Sequence, residues 1–392
     1  MAGRAIVAGH LCLDITPQFL SPHIPEPGEL AVVGPATLST GGAVSNTGLS
    51  LARLGIDTQL CGKVGDDAFG SAVRAIVDRH TPGSSSGVIV SSSDSTSYSI
   101  VLAPPGMDRA FVHSPGANDT FGPEDVPQQT LDQAALLHHG YPALMRRMYS
   151  AGGRDLIGLL RRARQAGLTT SLDLCYVDPD SDSGKADWPA ILESVLPLVD
   201  AFVPSIDELR AIWDTSSSDR EQVVDDALPR LAQQALSAGA RIVMIKAGVR
   251  GIYLRTGKTP CSGRAAPHNG EAWAERELWA PALAPTTVAT TTGAGDAAVA
   301  GFLAGLLRGE GPERSLTMAC AAGCCCCERP DATSGVCTWD CTLERLEAGW
   351  QQAALTPSGE GWRWDAPARL WRGAHDQARR MCAMSLDRGK TL

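Results

Sequence analysis

The chain has 392 residues, 44% apolar and 20% charged, with 34 Lys plus Arg against 43 Asp plus Glu and a formal charge of −9. That balance belongs to a globular protein with material for a sizeable core, and it lacks the basic footprint that non-specific nucleic-acid binding needs. No run reaches the ~18 consecutive apolar residues of a membrane helix. The apolar run before His10 is too short for a signal peptide, so the expected setting is cytoplasmic, with neither nucleic acid nor membrane as partner.

In chain order, short apolar runs alternate with helical patterns. Strands are expected over 5–8, 58–61, 87–90, 97–102, 135–138, 170–174, 201–203, 242–245 and 252–254. Helices are expected over 45–54, 68–79, 153–166, 188–196, 208–213, 222–237, 294–307 and 313–326. This alternation predicts an α/β fold, a mainly parallel sheet with helices on both faces. Residues 19–39 are Pro-rich with no helix period, and 97–114 reads as two strands joined by Pro104-Pro105-Gly106. Both are expected to leave the main sheet as an antiparallel lid, over about 16–40 and 88–115. A domain over 1–345 would then carry a Trp- and Arg-rich appendage over 346–392, frayed at its end.

The twelve cysteines are scattered except for Cys320, Cys324 to Cys327, Cys337 and Cys341. Cys324 and Cys327 have CxxC spacing, but no second such pair follows. They continue a helical pattern through Leu316, Met318, Ala319, Ala321 and Ala322, where free Cys packs as a small hydrophobe. They are read as core residues, without disulfides.

The sharpest signal is Thr290-Thr291-Thr292-Gly293-Ala294-Gly295-Asp296, running into AAVAGFLAGLL. The amides of residues 293–296 become free donors at a helix N-terminus, a site for phosphate or developing negative charge. An acid beside a bound anion makes sense as a base that deprotonates a nucleophile attacking phosphorus; the plain alternative is a helix cap. The same residues satisfy GxGxx(G/A), but late in the chain, and Glu310 and Glu313 follow a turn rather than a second strand. Gly257-Lys258-Thr259 and Gly389-Lys390-Thr391 end like phosphate loops, but Ile252 and Met384 stand where a Gly is required.

The second signal is Gly41-Gly42-Ala43-Val44-Ser45-Asn46-Thr47-Gly48, again opening a helix, with Asn46 offering a donor and an acceptor to a sugar hydroxyl. Asp14 follows the first strand, at the carboxyl edge where ligands bind in such sheets.

Together these residues resemble the PfkB (ribokinase-like) carbohydrate kinases. GGxxxN with Leu51-Ala52-Arg53-Leu54-Gly55 and then Gly62 to Gly70 is similar to the family's first signature, and TTGAGDAAVAGFLAG to its second. Ser205-Ile206-Asp207-Glu208 is similar to its NxxE motif, Lys246 to Gly251 to its nucleotide loop, and Thr96-Ser97 with 115–118 to its lid. The resemblance covers about residues 1–345. It implies a three-layer αβα sandwich with a small β lid. It also implies ATP with Mg²⁺, possible use of K⁺, and γ-phosphoryl transfer to a hydroxyl of a sugar or nucleoside. By position, Asp296 is the base and Gly293, Ala294 and Gly295 form the anion hole. Asp14, Gly41, Gly42 and Asn46 hold the acceptor, Lys246, Gly248, Gly251 and Ser205 meet the nucleotide, and Glu208 organises Mg²⁺ through water. Lid strands imply a monomer or a lid-mediated homodimer. The rivals are a nucleoside kinase of the same fold and a non-catalytic sugar- or nucleotide-binding regulator.

Three positions depart from the family pattern. Thr290 stands where the second signature opens with Asp, Ser205 replaces Asn, and Asp331 stands where a Gly is usual. The expectation at Asp331 is that its carboxylate replaces the missing acid at a monovalent-cation site; the alternative is a turn cap. Arg109 in the lid is a candidate for an acidic substrate, and His138, His139 and Tyr141 for substrate hydroxyls.

Overall fold

The computed structural model describes residues 3–107, 109–214, 224–258 and 261–377. The strands are β1 (Ala5–Gly9), β2 (Cys12–Gln18), β3 (Gly34–Gly41), β4 (Thr58–Gly65), β5 (Val88–Ser91), β6 (Tyr98–Leu102), β7 (Ala110–Ser114) and β8 (Leu136–Gly140). They continue with β9 (Thr169–Asp173), β10 (Ala201–Phe202), β11 (Ile242–Lys246), β12 (Ile252–Thr256), β13 (Glu277–Ala280), β14 (Arg363–Asp365) and β15 (Leu370–Arg372). The helices are α1 (Ala43–Arg53), α2 (Ala68–His80), α3 (Gln128–Asp132), α4 (Arg146–Gln165) and α5 (Trp188–Val195). After them come α6 (Ile206–Trp213), α7 (Val224–Ser237), α8 (Ala294–Leu307), α9 (Pro312–Cys327) and α10 (Trp339–Glu347).

One sheet runs in the order β14-β15-β13-β12-β11-β10-β9-β8-β1-β4-β5. From β5 to β11 all neighbours are parallel; β12, β13, β15 and β14 continue antiparallel. Alternate residues of β1 serve opposite faces, Ala5 and Val7 packing on the side of α1, α8 and α9, Ile6 and Ala8 on the side of α4, α5 and α7. This is the expected three-layer α/β architecture. No helix among the described residues is long and apolar enough to cross a membrane.

The lid is a separate four-stranded sheet, β3-β2-β6-β7. It begins at Cys12, earlier than expected, and excludes residues 88–91, which pair parallel with β4 at the edge of the main sheet. Its root is pinned by Asp67, whose carboxylate accepts from the Thr96 amide at 2.8 Å, the Thr96 hydroxyl at 2.7 Å and the Gly70 amide at 2.8 Å. One side chain of the first signature thus caps α2 and ties down the start of β6.

The segment expected as an appendage supplies β14 and β15, and Trp371 pairs with Trp279 of β13. Neither strand has apolar alternation over a useful length, so neither was legible as a strand. The expected frayed end lies outside the described residues. The expected helix over 222–237 is described from Val224, and that over 153–166 extends back to Arg146 across a break at Ser150 to Gly153.

Helix α8 is apolar all round and buried from Asp296 to Leu307. It lies against α9 so closely that a Cβ on Gly301 would sit 2.4 Å from the Met318 carbonyl oxygen. Cys320, Cys324, Cys325 and Cys326 are buried core residues of α9, and Cys326 Sγ donates to the Thr292 and Ala332 carbonyls. The cluster therefore buttresses the turn ahead of α8.

Candidate active site

The turn into α8 ends at Gly293, whose φ of 76° is left-handed and whose Cβ, if present, would lie 2.4 Å from Ala332 Cβ. Only Gly fits there. The chain then enters α8 with its first amides unpaired inside the helix and Asp296 in the first turn, 3% exposed.

Asp296 joins three elements. Its Oδ2 accepts from Asn46 Nδ2 at 3.0 Å and its Oδ1 from Thr47 Oγ1 at 3.3 Å, both on α1. The Tyr141 hydroxyl, just past β8, lies 2.9 Å from Oδ1 and 2.8 Å from Oδ2. Burial raises the pKa of Asp296, against Lys246 and the hydrogen bonds from Asn46, Tyr141 and Thr47. A carboxylate raised by burial yet held in place by donors suits a proton acceptor.

The same carboxylate lines a cleft of about 580 Å³ with Gly293, Ala294, Gly295, Lys246, Gly248, Gly251, Ser205 and Glu208. The structure therefore gathers the expected anion-hole, nucleotide and Mg²⁺ residues around one cavity. Lys246 ends β11 and holds Asp173, at the end of β9, with Nζ 2.7 and 2.8 Å from its two oxygens. Burial works against the ammonium, but Asp173 and Glu208 outweigh it and raise the Lys246 pKa. A Cβ on Gly295 would come 3.8 Å from Lys246 Nζ, so this cation stands beside the expected anion hole. Ser205 and Glu208 form a capping box on α6, with the Ser205 amide donating to Glu208 Oε2 at 2.7 Å. That bond occupies one carboxylate oxygen of Glu208, while the residue still lines the cleft.

Asp14 and Gly41 face each other at the root of the lid, with Gly42 at the start of α1 and Asn46 one turn into it. A Cβ on Gly41 would fall 2.3 Å from Asp14 Oδ2, so the missing side chain is what admits the carboxylate. Gly42 caps α1. Burial pushes the Asp14 pKa up to about 6, against hydrogen bonds from Cys12 and Ser99. Beside it, Ser99 Oγ lies 3.0 Å from His113 Nδ1, and His113 Nε2 lies 3.4 Å from His10 Nε2.

Other candidates lie elsewhere. His138 and His139 are fully buried in β8; burial pushes their pKa values down to about 3 and 4, and His138 Nδ1 bonds Ser171 Oγ. Asp331 accepts from the Thr333 amide at 2.9 Å and the Ser334 amide at 2.6 Å, and also from the Ser334 hydroxyl. Those bonds hold its pKa low despite burial. Its carboxylate is committed to its own turn, the cap reading, and the geometry lends nothing to a cation role. Arg109 crosses from the lid to donate to Thr291 Oγ1 at 2.9 Å and Thr290 Oγ1 at 3.4 Å, ahead of the anion hole. Asp173, Thr47, His10 and His113 were not singled out in the sequence. Asp173 carried a signal, an acid at the carboxyl edge of an expected strand.

The sequence model described as "pfkB family carbohydrate kinase" matches residues 4–339. The chain belongs to that family. It is a carbohydrate kinase by membership, and its relatives agree in kind. It is 24% identical over 288 residues to an uncharacterized sugar kinase of Archaeoglobus fulgidus, covering 74% of this chain and 98% of that one. It is 26% identical over 332 residues to the ATP-dependent ribose-1-phosphate kinase of Halopiger xanaduensis, covering 84% and 94%. The Arabidopsis thaliana ribokinase complexed with ribose and ATP superposes with a TM-score of 0.69 at 19% identity, covering 88% of this chain and 99% of that one. This pfkB kinase therefore shares the ribokinase-like fold.

Proposed function

We propose that the protein transfers the γ-phosphoryl group of ATP to a hydroxyl of a sugar or sugar-like acceptor, with Asp296 as general base. The observation that carries this reading is the buried Asp296 carboxylate, bonded to Asn46 on α1 and standing in the first turn of α8 beside the Gly293-Ala294-Gly295 turn. The acceptor hydroxyl gives its proton to Asp296, its oxygen bonds to the γ-phosphorus, and the bond to the ADP oxygen breaks. Charge that develops on the phosphoryl oxygens meets the anion-hole amides and Lys246. Asp14, Gly41, Gly42 and Asn46 hold the acceptor.

The donor set fits nucleotide and metal. Asp207 and Glu208 offer carboxylates at the cleft, and Gly248 and Gly251 line it without side chains. Glu208 would help hold Mg²⁺, which when bound would supply charge neutralisation for the phosphates. A K⁺ requirement has no support from Asp331.

The test is ADP release with ATP and Mg²⁺ across a panel holding ribose, ribose 1-phosphate, other sugars and nucleosides. Asp296→Asn should fold and bind ATP but lose about 10²–10⁴ in kcat, the weight of general-base catalysis. Turnover within tenfold of wild type would remove Asp296 from that role. A response to nucleosides alone would select the nucleoside-kinase reading.

A further inference from the structure

Tyr141 is the residue around Asp296 that no motif announced. It holds φ 65° and ψ 46°, a left-handed conformation that is unfavourable for a non-Gly residue. The result of that backbone turn is a phenol laid across the carboxylate. Its hydroxyl reaches both Asp296 oxygens, at 2.9 and 2.8 Å. Asn46 takes Oδ2 and Thr47 takes Oδ1 from the other side. Burial, with Asp296 and Asp173 nearby, pushes the phenol pKa well above its usual value, so the hydroxyl keeps its proton and acts as a donor.

This arrangement has a chemical consequence. A kinase with a base beside a bound nucleoside triphosphate risks using water in place of its acceptor. Water must reach a free lone pair of Asp296 to be activated, and here the phenol bridges the two oxygens. Asn46 and Thr47 orient the carboxylate without help from Tyr141, so orientation alone does not call for a third donor. An acceptor held at Asp14 and Asn46 has the binding energy to displace the phenol, whereas a water molecule does not.

We propose that Tyr141 is a guard on the base: its hydroxyl occupies Asp296 until an acceptor hydroxyl displaces it, which suppresses transfer of the γ-phosphoryl group to water. The proposal rests on the assignment of Asp296 as base. In the suppressed reaction, water would give one proton to Asp296, its oxygen would bond to the γ-phosphorus, and ADP would leave, yielding ADP and inorganic phosphate.

The experiment measures ADP release from ATP–Mg²⁺ with no sugar present. Tyr141→Phe keeps the ring and deletes the hydroxyl, and should release ADP about tenfold faster than wild type, the weight of one hydrogen bond to a carboxylate. The double variant Tyr141→Phe/Asp296→Asn should lose that gain. Tyr141→Met, also without a donor, serves if the Phe variant melts early. A folded Tyr141 variant with unchanged or slower sugar-free release overturns the guard, as does a gain that survives in the double variant. Failure of the underlying assignment looks different: Asp296→Asn alone would then phosphorylate sugars at the wild-type rate. A residue with only a packing role would slow all reactions together and would not speed the one with water.

Discussion

Replacing Lys246 with Met tests the buried pair beside the anion hole. The Asp173 side chain is 1% exposed and that of Lys246 12%, so water screens their contact little. Burial pushes the Asp173 pKa up to about 8, Glu208 and Asp296 push the same way, and Lys246 only partly pulls it down. In Lys246→Met the downward pull is gone and the other terms remain, so the folded-state pKa of Asp173 lies further above the unfolded value of about 3.9. A carboxyl raised in this way binds its proton more tightly when folded. Its contribution to stability is full below the unfolded pKa and is lost as pH rises toward the folded one. Both proteins share a slope of about 1.4 kcal/mol per pH unit up to the wild-type pKa of about 8, and above it only the variant keeps losing stability, about 1.4 kcal/mol relative to wild type between about pH 8 and 9. Urea unfolding of both proteins at several pH values from about 6 to 9 measures the gap. The companion Lys246→Met/Asp173→Asn, which cannot ionise at this position, should show no such slope. A gap that stays constant from about pH 8 to 9 would refute the picture of Lys246 lowering the pKa of Asp173.

Further outcomes follow from the same geometry. Asp14, with its pKa near 6, should make kcat/KM for the acceptor fall as pH drops below about 6, and Asp14→Asn should abolish that limb while raising the acceptor KM about 10- to 100-fold; equal changes in the KM for ATP would make Asp14 structural. Gly293→Ala must place a Cβ at a left-handed φ against Ala332, and should destabilise by more than about 1 kcal/mol and depress kcat; wild-type melting and turnover would show that the turn is not constrained. Asp331→Ala should cost about 1 kcal/mol by removing a turn cap, with the same response to K⁺ and to tetramethylammonium in both proteins; selective loss of K⁺ activation in the variant would restore Asp331 to a cation site.

Some of this protein could be read from its residues alone because the signals are local. Gly293-Ala294-Gly295-Asp296 before an apolar helix states a turn, a set of free amides and an acid beside them. Gly41-Gly42 with Asn46 states a helix start with a polar side chain one turn in. The six parallel strands from β4 to β11 are legible because buried strands and amphipathic helices repeat in alternation. What the tertiary structure decided are meetings between residues far apart in the chain, which no period or spacing encodes. Asn46 reaches Asp296 only because α1 and α8 lie side by side, and Asp173 finds Lys246 only because β9 and β11 flank β10. Tyr141 is the clearest case. The sequence offered it only as a candidate for substrate hydroxyls, and its contact with the base depends on a left-handed turn at the end of β8 that aims its hydroxyl at a carboxylate 155 positions along the chain. The edge strands β13 to β15 belong with it, since four-residue and shorter segments carry too little pattern to declare themselves and become strands by pairing with an edge already formed.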